Sequence, residues 1–406
     1  MRFFDGIFTT PRWLALWAAQ LGYMLDAMDV LLYAFALQAV RTEFGLSNRE
    51  AGLAFSVTMI VSSIGGILAG ILSDRIGRRK TMILTILTYS FASAGTAFSR
   101  GLLDLLFWRS LVGLGLGGQW SAGATLVSES WPAEHRGKAI SFMQSGWALG
   151  YMAAAALSAL ILPRLGWRAL FLAGVLPALL TVLIRRKVRE PEIWLRSERR
   201  GKFIEIFKRP YGRSTIIATT LATATLFAYW GLFTWLPGFL SASAKEGGAG
   251  FDIISTSGFL LVVQAGAYAG YLSFGVLADR LGRRPAFALY VIVSAIITPF
   301  YAYAPQLGGR TLLLALGPLI GFFGTGYFSL FGAMLAELYP TSIRGAGQGF
   351  AYNFGRGLSA LAPYLVGALA DTGGLGLGLA LNGAFYLSAA FLVFALPETK
   401  AVELSS

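Results

Sequence analysis

Two acidic side chains, Asp26 and Asp29, stand out because they lie inside a long apolar stretch of the chain. A charge is costly to bury in hydrocarbon, so such residues are functional candidates. The two carboxylates lie three residues apart on one helical face, where they repel each other. One of them is therefore expected to hold a proton, and either could take part in proton transfer. Tyr33 follows Asp29 by four residues on the same stripe.

Two basic side chains, Arg109 and Arg356, also lie inside apolar stretches. Arg109 could pair with one of the two aspartates, either as a charge relay or as a structural ion pair. Arg356 has Asn353 on its own helical face, and its stretch contains no acidic residue before Asp371. A guanidinium holds a carboxylate through two parallel hydrogen bonds. An anionic ligand is thus the natural partner of Arg356, with an internal pair to Asp26 or Asp29 as the alternative.

Weaker candidates are polar and aromatic residues in the same kind of apolar stretch. Gln144, Trp147 and Tyr151 fall on one helical face. Each aromatic side chain could equally face lipid or pack in a core. The predicted binding residues besides Arg356 are Asn353, Gln144, Trp147, Tyr33, Gln119 and Tyr151, and less certain aromatic or amide residues are Tyr229, Trp230, Trp235, Gln264, Tyr268 and Tyr327.

The segments that must position these residues are apolar runs of about 20 residues, long enough to cross a hydrocarbon core of roughly 30 Å. Hydrophobic residues make up 56% of the 406 residues and charged residues only 13%, against about 25% in a soluble domain. The pattern predicts an all-α membrane protein with twelve transmembrane helices. The runs are 14–39, 50–73, 81–99, 102–128, 138–163, 168–184, 214–240, 256–278, 285–304, 311–336, 346–370 and 376–396.

The basic residues predict an orientation, because lysine and arginine accumulate in cytoplasmic loops. With both termini cytoplasmic, most of the 33 basic residues fall on the cytoplasmic side. The net charge of +13 then reflects topology, and no nucleic-acid partner is expected. We expect bundles over residues 1–184 and 214–406, joined by a basic linker, 185–213. The linker is expected to lie on the membrane surface beside acidic lipid headgroups.

Two charged loop motifs recur in both halves of the chain, which implies a duplicated six-helix unit. The first pair is Gly70-Ile-Leu-Ser-Asp74-Arg75-Ile-Gly77-Arg78 and Gly275-Val-Leu-Ala-Asp279-Arg280-Leu-Gly282-Arg283. The second pair is Glu129-Ser-Trp-Pro-Ala-Glu-His-Arg136 and Glu337-Leu-Tyr-Pro-Thr-Ser-Ile-Arg344.

These motifs resemble those of the major facilitator superfamily over the whole chain. The resemblance implies two pseudo-symmetric six-helix bundles, neighbouring first and fourth helices, and a functional monomer in the inner membrane without cofactors. It also implies that the repeated loops latch the cytoplasmic side, the alternative being a purely structural charged loop. The latch residues are then Gly70, Asp74, Arg75, Gly77, Arg78, Glu129, Arg136, Asp279, Arg280, Gly282, Arg283, Glu337 and Arg344.

A closer resemblance is to proton-coupled organic-acid symporters, including the sialic-acid, lactate and aromatic-acid carriers. It is carried by Leu25-Asp26-Ala-Met-Asp29, by the Glu129 motif, and by Gln144-Ser-Gly-Trp147-Ala-Leu-Gly150-Tyr151. The implied function is uptake of a small organic anion, such as a monocarboxylate, with protons. Asp26 or Asp29 would carry the protons, and Arg109 would take part in coupling as their charge-relay partner. A proton-driven exporter of drugs or metabolites is the alternative, although the glycine–proline pattern of drug antiporters is absent from the fifth span.

Other functional classes are disfavoured by what the chain contains. It has no cysteine and one histidine, so thiolate and histidine-rich metal centres are excluded. No nucleophile–base pair is visible, which disfavours an enzyme, and a receptor or channel is disfavoured by the aspartate pair and the repeated loops. The run Gly113-Leu-Gly115-Leu-Gly117-Gly118 lies in an apolar span, which predicts glycines for helix packing and no nucleotide loop.

Overall fold

The computed structural model describes residues 3–7, 9–197, 201–243, 248–251 and 253–405. Over these residues the chain is helical and contains no β-strand. The helices are α1 (Pro11–Phe44), α2 (Asn48–Ile76), α3 (Arg78–Thr96), α4 (Leu102–Ser130), α5 (Arg136–Gln144), α6 (Gly146–Ala173), α7 (Leu176–Lys187), α8 (Glu192–Arg196), α9 (Gly212–Phe233), α10 (Leu236–Ser241), α11 (Ile253–Leu281), α12 (Arg283–Ala302), α13 (Ala304–Leu307), α14 (Gly309–Gly326), α15 (Ser329–Leu338), α16 (Arg344–Ser359) and α17 (Ala362–Leu392).

Eight helical segments among the described residues are long and apolar enough to cross a membrane. One of them, Ala133–Lys187, spans two of the predicted apolar runs. Helices α3, α4 and α16 are not among the eight. Helix α4 carries Arg109 and Gln119 in its apolar middle, and α16 is only 16 residues long. Twelve membrane crossings therefore remain a prediction.

Helix boundaries follow local chain chemistry. Helix α1 begins with a proline in its first turn and ends at Gly45, whose φ of 63° is left-handed. Helix α2 begins with a capping box between Ser47 and Glu50. The Ser47 hydroxyl and amide hydrogen-bond the Glu50 carboxylate, which holds the pKa of Glu50 below its usual range.

The repeated loop motif turns the chain in the same way in both halves. Gly77 separates α2 from α3 with a φ of 105°, and Gly282 separates α11 from α12 with a φ of 113°. Residues with a Cβ rarely adopt these angles, so glycine is required at both positions. The chain therefore reverses within one residue at each motif.

Three breaks in the helical chain lie at a glycine or next to a proline. Gly166, with a φ of 75°, breaks α6, and Gly374, with a φ of 79°, breaks α17. Thr234 and Trp235 separate α9 from α10. Gly166 and Gly374 lie between predicted runs, where the sequence predicts loops, whereas the break between α9 and α10 lies inside the predicted run 214–240, beside Pro237.

Helices in the two halves pack in similar ways, as the duplication predicts. In the first half α1 packs on α6 and α4, and both α2 and α3 pack on α4. In the second half α11 packs on α14, α12 on α17, and α9 on both α16 and α17. The halves meet mainly where α2 packs on α16 and where α5 packs on α11. Since α2 corresponds to α11 and α5 to α16 in the repeat, these two contacts are equivalent.

The linker crosses the end of the molecule that carries the repeated loops, here called the charged end. Helix α7 ends at Lys187, and α8 follows Pro191. Trp194 Nε1 donates to the Asp74 carbonyl at 3.2 Å, and the Gly201 amide donates to the Ser342 carbonyl at 3.1 Å. The linker thus contacts both halves.

Candidate functional site

Asp29 and Arg109 form a buried ion pair between α1 and α4. Arg109 Nη1 lies 3.9 Å from Asp29 Oδ2, and both side chains are fully buried. Ser93 Oγ on α3 donates to Asp29 Oδ1, and Arg109 Nε donates to Thr58 Oγ1 on α2 at 3.2 Å. The structure therefore selects Asp29, of the two aspartates, as the partner of Arg109.

This ion pair is not saturated with hydrogen bonds. Among the described residues, Asp29 Oδ2 and both terminal nitrogens of Arg109 lack a hydrogen-bond partner. The Arg109 guanidinium instead lies over the Tyr33 ring, 4.9 Å from its centroid. Buried polar atoms of this kind are rare in folded proteins. The pair can therefore accept a further partner such as a proton or a water molecule.

Asp26 lies in a different electrostatic environment. It is 2% exposed, and its Oδ1 has no hydrogen-bond partner among the described residues. The positive charge of Arg356 attracts the Asp26 carboxylate, whereas Asp29 repels it. The two neighbouring aspartates thus face different arginines, one on α4 and one on α16.

Arg356 lies on α16 at the boundary between two cavities. It is 8% exposed, and its Nη2 contacts Met59 Sδ at 3.8 Å. No carboxylate oxygen of a described side chain lies within 4.0 Å of its guanidinium. The internal ion pair considered from the sequence is therefore not formed, although Asp26 attracts Arg356 through space.

Three cavities surround this arginine and the facing aromatic side chains. The outer cavity has a volume of about 650 Å³ and the side cavity about 190 Å³. The inner cavity is small, about 20 Å³. Arg356 lines the outer and inner cavities, and Trp230 lines all three. The outer cavity is lined by the part of α2 that is remote from the charged end, including Gly52 and Phe55.

Aromatic residues joined by hydrogen bonds form the walls of the inner cavity. Gln144 Oε1 accepts from Trp120 Nε1 at 3.0 Å, and Gln144 Nε2 donates to the Tyr23 hydroxyl at 3.2 Å. Trp147 Nε1 donates to the Tyr229 hydroxyl at 3.1 Å, from α6 to α9. Gln144 therefore holds two rings in place, and Trp147 connects the two halves.

Most of the predicted binding residues reach a cavity. Arg356, Gln144 and Trp147 line the inner cavity, Tyr33 lines the outer cavity, and Tyr151 lines the side cavity.

Gln119 and Asn353 lie between helices and do not line any of these three cavities. Gln119 packs on Gly22, and Asn353 packs on Gly66. Asn353 Nδ2 donates to Ser121 Oγ at 3.1 Å, which joins α16 to α4. Both Gln119 amide atoms and Asn353 Oδ1 have no hydrogen-bond partner among the described residues, so the roles of these two side chains in binding remain predictions.

Several cavity residues were not predicted from the sequence. They are Tyr23, Trp120, Tyr352, Tyr271, Phe328 and Met59. Helical spacing carried a signal for two of them: Tyr23 precedes Asp26 by three residues, and Tyr352 precedes Arg356 by four. Trp120 and Phe328 have no such relation to a buried charge, and only the packing of helices brings them to the site.

The charged end is closed by two equivalent networks, the first centred on Asp74. Asp74 Oδ1 and Oδ2 accept from the amides of Gly345 and Ala346, at 2.9 and 2.8 Å, at the start of α16. A carboxylate is favoured there by the helix dipole and the free amides. Nearby, Glu129 bridges Arg78 of its own half, at 2.8 Å, and Arg344 of the other half. These contacts join the first half to α16.

The second network repeats the first with the halves exchanged. Asp279 Oδ1 and Oδ2 accept from the amides of Gly137 and Lys138, at 3.1 and 3.0 Å, at the start of α5. Glu337 bridges Arg283 at 3.0 Å and Arg136 at 2.8 Å.

The remaining predicted latch residues divide into two groups. Gly70 lets α2 approach the Gly345 carbonyl, where a Cβ would clash. Gly77 and Gly282 lie beside Glu190 and Glu398, which the sequence did not identify and which accept from the first amides of α3 and α12. The side chains of Arg75 and Arg280 are exposed and lie outside both networks.

The described residues contain no group of three or more histidine, cysteine, aspartate or glutamate side chains that could hold a metal ion. The buried carboxylates of the charged end instead make ion pairs and helix caps. Arg356 and the two aspartates are the buried charged side chains that lie nearest to the cavities.

Comparison with known proteins agrees with this arrangement. The model of the family described as Major Facilitator Superfamily matches residues 20–273 and 248–405. The probable 4-methylmuconolactone transporter of Cupriavidus pinatubonensis is 35% identical, over 96% of this chain and 91% of that protein. The sialic acid transporter NanX of Escherichia coli is 29% identical, over 91% and 90%.

A solved structure is similar over almost the whole fold. The proton:xylose symporter XylE, bound to 6-bromo-6-deoxy-D-glucose, superposes with a TM-score of 0.79. The superposition covers 97% of this chain and 98% of that one, at 20% sequence identity. At this identity the likeness concerns the fold alone.

Proposed function

The chain belongs to the Major Facilitator Superfamily, and on this premise we propose that it carries a small organic anion, such as a monocarboxylate, across a membrane together with protons. Members of this superfamily are multi-pass membrane transporters and not enzymes. The inner membrane of a bacterium is the proposed location, with twelve crossings and both termini in the cytoplasm. No cofactor is required by the proposal.

The observation that carries the proposal is the state of Arg356. This guanidinium is largely buried, makes no contact with a carboxylate of the described residues, and faces both the outer and the inner cavity. A buried cation is expensive unless it is paired. A substrate carboxylate entering from the outer cavity would supply the missing charge through two parallel hydrogen bonds.

The aromatic walls favour a substrate with an apolar or unsaturated body. Trp120, Trp147, Tyr229 and Tyr352 line the inner cavity together with Arg356. Large rigid rings offer contact area at low entropic cost, while one polar group fixes the orientation of the ligand. The name of the relative from Cupriavidus pinatubonensis and that of the sialic acid transporter support an organic-acid substrate for this chain as well.

Proton coupling is proposed to arise from the two aspartates. Asp26 and a bound carboxylate compete for the charge of Arg356, so binding of the anion is favoured when Asp26 is protonated. Protonation of Asp29 removes its attraction for Arg109 and frees α4 to move relative to α1. Anion and protons then cross as one nearly neutral assembly, which avoids carrying a net charge through the site.

Alternating access is proposed to occur by rocking of two six-helix units, residues 1–184 and 214–406, around the midplane site. The charged end is closed by the Asp74 and Asp279 networks, while the large cavity lies toward the opposite end. This arrangement corresponds to one of the two states of the cycle. Opening of the charged end requires both networks to separate.

The test is binding and uptake by an Arg356→Gln variant. Losing a charged hydrogen-bond pair in a buried site costs about 2–5 kcal/mol, so the affinity for a carboxylate should fall by about 30-fold or more. Binding is measured by quenching of tryptophan fluorescence with a panel of aromatic and aliphatic carboxylates. Arg164→Gln, an exposed arginine at the other end, is the matched control.

Uptake into liposomes with an inward proton gradient completes the test. Accumulation that rises with the gradient supports symport, and uptake that ignores the gradient contradicts it. Unchanged carboxylate affinity in the Arg356→Gln variant would remove this residue from the site. Counterflow of cationic dyes in place of acids would instead indicate an exporter.

A further inference from the structure

A fourth cavity lies apart from the transport site, on the surface of the second half. It is a groove of about 560 Å³ between α9, α16 and α17. Phe207, Phe350 and Phe354 form one wall, and Phe385 and Leu392 form the other. The rings of Phe207 and Phe350 pack edge to face with centroids 5.0 Å apart, and this contact stabilises the wall.

The floor of the groove is a row of threonines along α9. The hydroxyls of Thr219 and Thr223 donate to carbonyls of their own helix, at 2.7 and 2.8 Å. Their hydrogen-bonding capacity as donors is therefore used within the protein, and the floor suits an apolar occupant. The row from Thr215 to Thr223 extends about 12 Å along the helix axis. The groove thus has the length and the apolar lining that suit an acyl chain.

One end of the groove carries positive charge. Lys208 and Arg209 follow Phe207 directly, and Arg213 precedes Ile216 by three residues, on the same face of α9. All three side chains are exposed, and none makes an ion pair with a described residue. The acidic residue next to them in sequence, Glu205, accepts from the Lys202 amide at 3.1 Å. This end, the mouth of the groove, therefore offers three cations that make no ion pair within the described part of the chain.

We propose that this groove binds one anionic phospholipid, with an acyl chain along α9 and the phosphate at Lys208, Arg209 and Arg213. The three positive charges favour an anionic headgroup, because each lysine or arginine near a membrane surface attracts anionic lipid. The apolar length of the groove explains the chain. A zwitterionic lipid with the same chains would fill the groove but gain less from the mouth.

The site does not depend on the proposed transport function. The lipid would contact α9 and α16 together, and α16 also carries Arg344 and Arg356. A bound lipid would therefore stabilise the packing of α9 against α16, whichever substrate the protein carries.

Native mass spectrometry of the purified full chain in detergent tests the headgroup. Phosphatidylglycerol and phosphatidylcholine with identical chains are titrated in turn, and phosphatidylglycerol should be retained more tightly. The variant Lys208→Gln/Arg209→Gln/Arg213→Gln should weaken its retention by at least about tenfold. Arg185→Gln/Arg186→Gln/Lys187→Gln removes three exposed basic residues at the end of α7 and should leave retention unchanged.

A second variant tests the groove itself. Thr219→Trp fills the floor and should reduce retention of phosphatidylglycerol, whereas Ile296→Trp, at an exposed position on α12, should not. Ser388→Phe, from the opposite wall, keeps the test available if Thr219→Trp does not fold. Equal retention of the two headgroups, equal loss in both triple variants, or full competition by inorganic phosphate alone would overturn the proposal.

Discussion

Trp120 and Tyr352 stack face to face across the two halves, with ring centroids 3.9 Å apart and planes inclined by 20°. Trp120 belongs to α4 and Tyr352 to α16, one turn from Arg356 on the side of the charged end. Gln144 holds the Trp120 indole through its Nε1. The stack therefore lies between Arg356 and the closed charged end, so an anion bound at the proposed site would meet these two rings on its way toward that end.

The stack is expected to couple the two halves energetically. Trp120→Ala and Tyr352→Ala should each lower the thermal unfolding temperature in detergent, and the double variant should lose less than the sum. An aromatic pair of this kind is worth roughly 0.5–1.5 kcal/mol beyond its area, which is the coupling expected from the double-mutant cycle. The Phe227–Phe385 stack, at 4.2 Å within the second half, serves as the reference pair. Strictly additive losses for Trp120 and Tyr352 would show that the rings are adjacent without stabilising each other.

Asp29→Asn is expected to separate proton coupling from substrate exchange. The amide cannot exchange a proton and no longer attracts Arg109, while Arg356 and the cavity walls remain intact. Accumulation driven by a proton gradient should fall to the background level, and counterflow exchange of the same acid should continue. Asp104→Asn, an exposed acid in the first turn of α4, is the control. Gradient-driven accumulation that survives in Asp29→Asn would assign coupling to another group.

Asp279→Asn should loosen the charged end. The neutral amide caps the start of α5 less well, and losing a hydrogen bond to a charged group costs about 1.5–3 kcal/mol. Because the chain contains no cysteine, Ser141→Cys provides a clean reporter between α5 and α11, where Ser141 packs against Gly275. Alkylation of this cysteine should become about tenfold faster when Asp279 is replaced.

Arg75→Gln is the matched control for that measurement. Arg75 belongs to the same repeated motif, yet its side chain is exposed and outside the network. Its replacement should leave the alkylation rate at position 141 unchanged. Equal acceleration by Arg75→Gln and Asp279→Asn would mean that loss of any charged side chain from the repeated motif loosens this end, and that the helix cap has no special role.

The glycines of α4 should differ sharply in their tolerance of a side chain. A Cβ at Gly117 would clash with the Ser62 carbonyl of α2, whereas a Cβ at Gly123 would make ordinary contacts with Met143 Cε at 3.4 Å and Ala19 Cβ at 3.5 Å. Gly117→Ala should therefore lower the thermal unfolding temperature, since α2 and α4 must move apart. Gly123→Ala should be neutral or slightly stabilising, by up to about 1 kcal/mol, through its higher helix propensity. Similar unfolding temperatures for the two variants would contradict a packing role for Gly117.

Much of the candidate site could be predicted because burying a charge in an apolar segment is visible in the sequence. Asp29, Arg109 and Arg356 were identified in this way, and the structure places Asp29 and Arg109 in contact. The distinct environments of Asp26 and Asp29 could not be predicted, because both lie on one face of α1. Their separation depends on where α4 and α16 pack against that face.

Sequence spacing was less informative for uncharged polar residues. Gln119 and Asn353 have the side chains expected of a binding site, yet they pack on Gly22 and Gly66 between helices. Trp120, next to Gln119 in the chain, reaches the cavity instead. Amides and aromatic rings are tolerated in both places, so only the rotation of α4 decides which of two neighbours faces the ligand.

The sequence by itself determined the helical membrane class, the duplication and the superfamily, because hydropathy and motifs repeated along the chain are local properties. Tertiary structure alone decided which end is closed and which aspartate pairs with Arg109. It also left Arg356 without a contact to any carboxylate in the part of the chain that the structure describes. These features depend on contacts between residues far apart in the chain. The Asp74 carboxylate accepts hydrogen bonds from the Gly345 and Ala346 amides in the other half of the chain. The sequence pattern within one half does not predict such contacts between the halves.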